Sequence, residues 1–189
     1  MKRAIWIIPA ILLLSLTARA QETPAWELSG GYSYLEANLN GTRFHLNGGT
    51  GSATENLNNW FGGRVEFNGY QGNEAITVSG QTTVYSVNAE TITYGPVFSY
   101  RKFSRITPFG HVQVGAVHGS TNYLGISQSA YKFAIAPGAG LDFALNRRTV
   151  IRVDGEYLVT RFLGLTQENL NASVGIVVRF GNRSAGGRK

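Results

Sequence analysis

The side chains best suited to chemistry are a histidine and a serine two residues apart, His118 and Ser120. An ester hydrolase needs a base within hydrogen-bond reach of its nucleophile, and a third group that orients the base. No acidic residue stands near this pair in the sequence. A histidine at the end of a strand is therefore the competing interpretation, and we predict that the chain is not an enzyme.

The other candidate sites are weaker. Asp154 and Glu156 stand two residues apart, and paired carboxylates can perform acid–base catalysis. Arg152 and Arg179 are available as partners, so a salt-bridge network is the preferred interpretation. The chain has three isolated histidines and no cysteine, which predicts no metal site and no disulfide. We expect no cofactor.

The N-terminal segment and the residue composition indicate an exported chain with little net charge. Residues 1–20 read as a signal peptide, because Lys2 and Arg3 precede an apolar run and Ala18-Arg19-Ala20 fits a cleavage site. Removing residues 1–20 leaves 14 basic residues against 11 acidic ones, where the full chain has a net charge of +6. Residues 182–189 form a basic tail, so residues 21–181 are close to neutral and nucleic-acid binding is not expected.

These residues must be positioned by strands, because apolar and polar residues alternate with a period of two. The alternation predicts eight strands, with long polar loops at 37–58, 120–129 and 161–169 and tight turns at 104–106 and 146–148. The predicted strands are 25–36, 59–70, 73–84, 90–102, 107–119, 130–144, 149–160 and 170–181.

One face of these strands is polar and carries five acids and five bases. In a soluble barrel or sandwich this face meets water, whereas in an outer-membrane barrel it fills the interior and the apolar face meets lipid. Periodicity alone does not separate the two architectures. The charged residues are Glu27, Arg64, Glu66, Arg101, Lys132, Asp142, Arg152, Asp154, Glu156 and Arg179.

Three observations favour the membrane. The charge balance suits a closed interior, since an unpaired charge away from water is costly. Short and long connections alternate, as in bacterial barrels. Tyrosines and tryptophans near strand ends suit the two interfaces of a bilayer, although two of them, Trp60 and Tyr70, fall on the polar face. The seven residues are Trp26, Tyr34, Trp60, Tyr70, Tyr100, Tyr131 and Tyr157.

The chain resembles the small outer-membrane β-barrel proteins of the OmpA/OmpX and porin-like type. The likeness spans most of residues 25–181 and is carried by segments such as 94–101, 104–111, 137–142, 152–162 and 173–181. The last segment also resembles the strand that the barrel-assembly machinery reads. The matching residues are Ser173, Gly175, Val178 and Phe180.

The resemblance implies an eight-stranded antiparallel up-and-down barrel in the outer membrane of a diderm bacterium, surrounded by lipid. Eight strands enclose an interior that side chains just fill, so we predict a plugged lumen and a structural or surface-interaction role. Three alternatives remain. They are a lipid A-modifying hydrolase that uses His118 and Ser120, a narrow porin-like channel, and a soluble lipocalin-like barrel.

Overall fold

The computed structural model describes residues 23–39, 42–78, 81–123, 126–162 and 165–183. They form one closed barrel of eight strands in chain order, each antiparallel to its neighbours, and the last strand pairs with the first. The predicted fold class is therefore confirmed. The strands are β1 (Thr23–Leu39), β2 (Thr42–Asn56), β3 (Phe61–Val78), β4 (Gln81–Ser99), β5 (Ile106–Tyr123), β6 (Ile126–Ala144), β7 (Thr149–Phe162) and β8 (Leu165–Arg183).

The two ends of the barrel differ. One end carries the connections 57–60, 100–105 and 145–148 together with Thr23 and Arg183, which pair across β1 and β8. We call this the turn end. At the other end, the tip end, the hairpins stay paired up to their last strand residues. The terminal pairs are Leu39–Thr42, Val78–Gln81, Tyr123–Ile126 and Phe162–Leu165.

The prediction of long loops was wrong. Residues 42–56, placed in a loop, form β2, and the predicted strand 73–84 covers the end of β3 and the start of β4. Most of the predicted loops 120–129 and 161–169 likewise belongs to paired strands. The strands are 14 to 19 residues long, whereas a tilted strand needs about 9–11 residues to cross a bilayer. Residues that were expected in loops therefore extend the strands beyond the length that a bilayer requires.

In the turn-end half of the barrel and its middle, large apolar side chains point outward and charged ones point inward. On β7, for example, Val153 and Tyr157 are 46% and 41% exposed, while Arg152, Asp154 and Glu156 between and beside them are buried. A soluble barrel would have the opposite arrangement, with its apolar face inside. This inverted arrangement suits a barrel surrounded by hydrocarbon. Hydrocarbon also requires that every backbone polar group be paired, and every strand of the closed ring pairs on both sides.

Two predicted segments lie outside the described residues. They are the signal peptide, residues 1–20, and most of the basic tail, residues 184–189. In the part of the chain that the structure describes, no helix is long and apolar enough to cross a membrane.

Candidate functional site

The interior near the turn end holds a cluster of two carboxylates and three arginines. Glu27 on β1 accepts hydrogen bonds from Arg101 Nη2 at 2.9 Å, Arg152 Nη2 at 2.8 Å and Arg179 Nε at 3.2 Å. Asp142 on β6 accepts two hydrogen bonds from Arg152, at 2.7 and 2.8 Å, and one from Arg179 at 3.1 Å. Strands β1, β6, β7 and β8 are thus cross-linked through the interior, with every member of the cluster buried.

A second cluster lies beside the first. Asp154 on β7 accepts a hydrogen bond from Arg64 Nη1 at 2.9 Å, and its other oxygen lies 3.2 Å from His111 Nε2. Glu66 lies 3.7 Å from the same Arg64 nitrogen and accepts a hydrogen bond from Asn68 at 3.1 Å. The alternation of β3 places Arg64, Glu66 and Asn68 on one face, and closure of the ring brings that face to β5 and β7.

Phe109 joins the two clusters. The guanidinium carbons of Arg64 and Arg152 each lie 4.8 Å from the centroid of its ring. A guanidinium over an aromatic face is attracted by the ring quadrupole, so the ring stabilises an arginine of each cluster. Sequence analysis missed this residue, although Phe109 shares the parity of His111 and Gln113, which would have placed it inward.

Two of the ten predicted interior charges stand apart from these ion pairs. Glu156 is buried opposite Asn171, but its Oε2 accepts no hydrogen bond from the described residues. Lys132 is half-buried and lies further along β6, opposite Val117. The structure therefore brings eight of the ten into two bonded clusters and places the other two nearer the tip end.

The interior changes from charged to apolar toward the tip end. An apolar cluster occupies that half, which the prediction of a uniformly polar interior did not include. Between the two halves, Ser33 donates a hydrogen bond to Asn171 Oδ1 at 2.6 Å, and its Oγ lies 3.3 Å from the Tyr70 hydroxyl. The apolar cluster comprises Leu35, Leu46, Tyr70, Val117, Ala134, Ala136 and Leu158.

Tyr70 corrects the list of interfacial aromatic residues. It is 2% exposed and lies inside the barrel, because it shares the face of Arg64, Glu66 and Asn68 on β3. Trp60 lies outside as predicted, since it precedes β3 in the connection 57–60, and its ring stacks on Phe98.

The remaining aromatic residues of that list form two groups on the outer surface. Trp26 and Tyr100 lie near the turn end with Trp60. Tyr34, Tyr131 and Tyr157 lie nearer the tip ends of their strands. The outer surface between the groups carries large exposed apolar side chains, such as Val114, Ile176 and Phe67. This is the arrangement of an apolar band with an aromatic girdle on each side.

His118 and Ser120, two of the described residues, are not hydrogen-bonded to each other in the structure. His118 stacks on Tyr131 with ring centroids 4.4 Å apart, and its Nδ1 lies 3.8 Å from Glu90 Oε2. An acid is therefore nearby, which sequence analysis did not expect, because β4 places Glu90 directly opposite His118. Among the described side chains, however, no hydrogen bond joins His118 to Ser120, and no group of three or more potential ligands could hold a metal ion.

His45, which falls in the predicted loop 37–58, lies on β2. His45 points outward and contacts the hydroxyl of Tyr34 through Nδ1, with the two rings stacked. The predicted assembly residues lie on β8, where Val178 and Phe180 point outward while Ser173 and Gly175 have the opposite parity.

Comparison with protein families decides the identity of the barrel. The family model described as "Outer membrane protein beta-barrel domain" matches residues 7–180. The chain belongs to this family. As a member of the outer membrane protein beta-barrel family, it is located in the outer membrane, and the soluble lipocalin-like alternative is excluded. A search of curated proteins found no match.

Solved structures share the fold of this family member. Neisserial surface protein A, NspA, is similar with a TM-score of 0.71 at 12% identity, covering 82% of this chain and 97% of that protein. Ail, the attachment invasion locus protein of Yersinia pestis in complex with the heparin analogue sucrose octasulfate, has a TM-score of 0.60 at 22% identity, covering 82% and 97%. The N-terminal β-barrel domain of Pseudomonas aeruginosa OprF has a TM-score of 0.52 at 12% identity, covering 82% and 98%.

Proposed function

We propose that this outer-membrane barrel has a closed interior and acts through its outer surface, as a structural or surface-interaction protein without enzymatic activity. The observation that carries the proposal is the filling of the interior. An ion-paired layer occupies the turn end and an apolar cluster occupies the tip half. A hydrated ion would have to pass both layers, and the apolar side chains of the second layer cannot replace its water shell.

The proposal includes an orientation. The tip end faces the outside and the turn end faces the periplasm, because short turns and both chain ends occupy the periplasmic side in bacterial barrels. Strands longer than a bilayer requires then extend beyond the outer leaflet. Their paired ends, rather than loops, form the surface offered to external partners.

The charge of this surface does not suit the kind of ligand seen in the Ail structure. Ail was solved with a sulfated sugar. Among the outward side chains that the structure describes in the outer parts of the strands, three are acidic, Glu36, Glu90 and Glu168, and one is basic, Arg43, which is paired with Glu36. Such a surface does not favour a polyanion, so we expect a neutral or cationic external partner.

The resemblance of the last strand supports one further partner. We infer that the barrel-assembly machinery reads Ser173, Gly175, Val178 and Phe180 on β8. An edge strand with outward apolar residues is a template for strand addition until β1 covers it.

Conductance in planar bilayers tests the closed interior. Purified, folded protein should add no unitary current steps to the baseline, with folding verified by a change in gel mobility on boiling. The matched control is a double substitution in the apolar layer, Leu35→Ser and Leu158→Ser, which should increase leakage because it hydrates that layer. Regular current steps from the unmodified barrel would contradict the proposal and favour the narrow channel.

A further inference from the structure

A notch interrupts the barrel wall at the turn end. It has a volume of about 1050 Å³ and lies between the connections 100–105 and 145–148 and the end of β8. The notch exists because β8 extends further toward the turn end than β7 does. β7 begins at Thr149, opposite Val178, whereas β8 continues to Arg183 along β1.

The notch carries exposed positive charge. Arg105, Arg147 and Arg148 line it, and no acidic residue does. Among the described residues, no carboxylate lies within ion-pair distance of these three arginines. Arg179 also borders the notch, but its guanidinium is turned inward to Glu27 and Asp142. The three exposed arginines are thus free to bind an anion.

The other wall of the notch is apolar. Leu145, Val178 and Phe180 line it and are 62%, 40% and 44% exposed. Val178 and Phe180 continue the apolar band on the outer surface, and Trp26, which pairs with Phe180, belongs to the aromatic group of this end. The arginines therefore lie just beyond the apolar band, at the depth of lipid headgroups.

We infer that this notch binds an anionic phospholipid of the periplasmic leaflet. Arg147 and Arg148 would bind the phosphate, since guanidinium groups donate in pairs to phosphate oxygens. An acyl chain would lie along Val178, Phe180 and Leu145. The leaflet assignment rests on the proposed orientation, whereas the preference for an anionic lipid does not.

Native mass spectrometry of the full mature chain in detergent micelles tests this inference. The protein is mixed with equal amounts of phosphatidylglycerol and phosphatidylcholine, and the ratio of retained lipids is measured. We expect a clear preference for phosphatidylglycerol, which falls about thirtyfold in the double variant Arg147→Gln, Arg148→Gln, since each of the two basic residues contributes on the order of 1 kcal/mol at a membrane surface.

Two further variants separate a site from general attraction. Arg43→Gln with Lys102→Gln removes the same charge outside the notch and should leave the preference unchanged. The double variant Arg147→Lys, Arg148→Lys keeps the positive charge and should retain much of the preference for phosphatidylglycerol. Because all these residues lie in exposed positions, every variant should keep the mobility change on boiling that marks a folded barrel.

Three results would overturn the inference. The unmodified chain could show no lipid preference, or both glutamine variants could lower it equally. Inorganic phosphate could also displace phosphatidylglycerol at equal concentration, which would indicate a site for a free anion. The measurement in micelles has no orientation, so its failure is distinct from a failure of the proposed function.

Discussion

At the residue scale, the interior pairs its charges unequally. Glu27 contacts three arginines, whereas Glu156 is buried beside Asn171 with one oxygen that no described residue hydrogen-bonds. Strand parity was enough to predict that both carboxylates point inward. It could not predict their partners, because those depend on how far each strand is shifted against strands distant in sequence.

This inequality predicts losses of stability of different size for two isosteric substitutions. Glu27→Gln removes a charge shared by three buried arginines and should lower the free energy of unfolding by about 3–5 kcal/mol. Glu156→Gln replaces a carboxyl group that forms no ion pair with an arginine of the described interior, and it should change this free energy by less than about 1 kcal/mol. Urea titration in micelles, followed by the mobility change on boiling, measures both.

The Glu156 variant serves as the control for the Glu27 variant, because both substitutions replace a buried carboxyl group on the inward face with an amide. Equal losses of stability in the two variants would show that the ion pairs of Glu27 contribute nothing specific.

At the element scale, β2 shows where sequence analysis failed. Its residues read as a loop because glycine, asparagine, serine and threonine dominate them and few apolar residues mark an outward face. A closed ring nevertheless requires a strand there, since β1 and β3 need partners for their backbone groups. That requirement is a property of the whole barrel, so no local pattern in 42–56 could reveal it.

Two adjacent glycines of β2 should respond differently to alanine. A Cβ at Gly48 would lie 1.8 Å from the carbonyl oxygen of Gly69, whereas a Cβ at Gly49 would meet nothing closer than 3.7 Å. Gly48→Ala should therefore destabilise the barrel by about 1–3 kcal/mol. Gly49→Ala should be neutral or stabilise it by up to about 1 kcal/mol, because it restricts the unfolded chain.

The denaturant midpoint of each alanine variant in micelles, compared with that of the unmodified barrel, checks this pair. Similar midpoints for the two variants would mean that β2 relaxes around Gly48, and that its close approach to β3 is not required.

At the scale of the whole molecule, the fold class and the number of strands could be predicted from alternation and from the resemblance. The paired structure of the tip end could not be predicted, because the polar residues of long paired hairpins and those of loops look alike in sequence. The absence of cysteine makes the orientation straightforward to measure, since any introduced thiol is the only one in the chain.

Cysteine labelling should show the tip end outside. Arg43→Cys lies near the tip end, where the Arg43 side chain is 69% exposed, and Arg147→Cys lies at the turn end. A maleimide carried on a large polymer should label the first variant on intact cells. It should label the second only after the outer membrane is permeabilised, and the reverse pattern would invert the proposed orientation.

The pairing of β1 with β8 has a consequence for assembly. Glu27 and Arg179 are 152 positions apart, yet they meet across this seam. Until the final strand arrives, the interior carboxylate on the first strand lacks one of its arginines and the sheet has two open edges. An incomplete ring in lipid would therefore hold both unpaired backbone and under-neutralised charge, which penalises every partly inserted intermediate. Closure of the seam is then the step that commits the chain to the inserted state. Loss of β8 would therefore remove far more than one-eighth of the stability of the barrel.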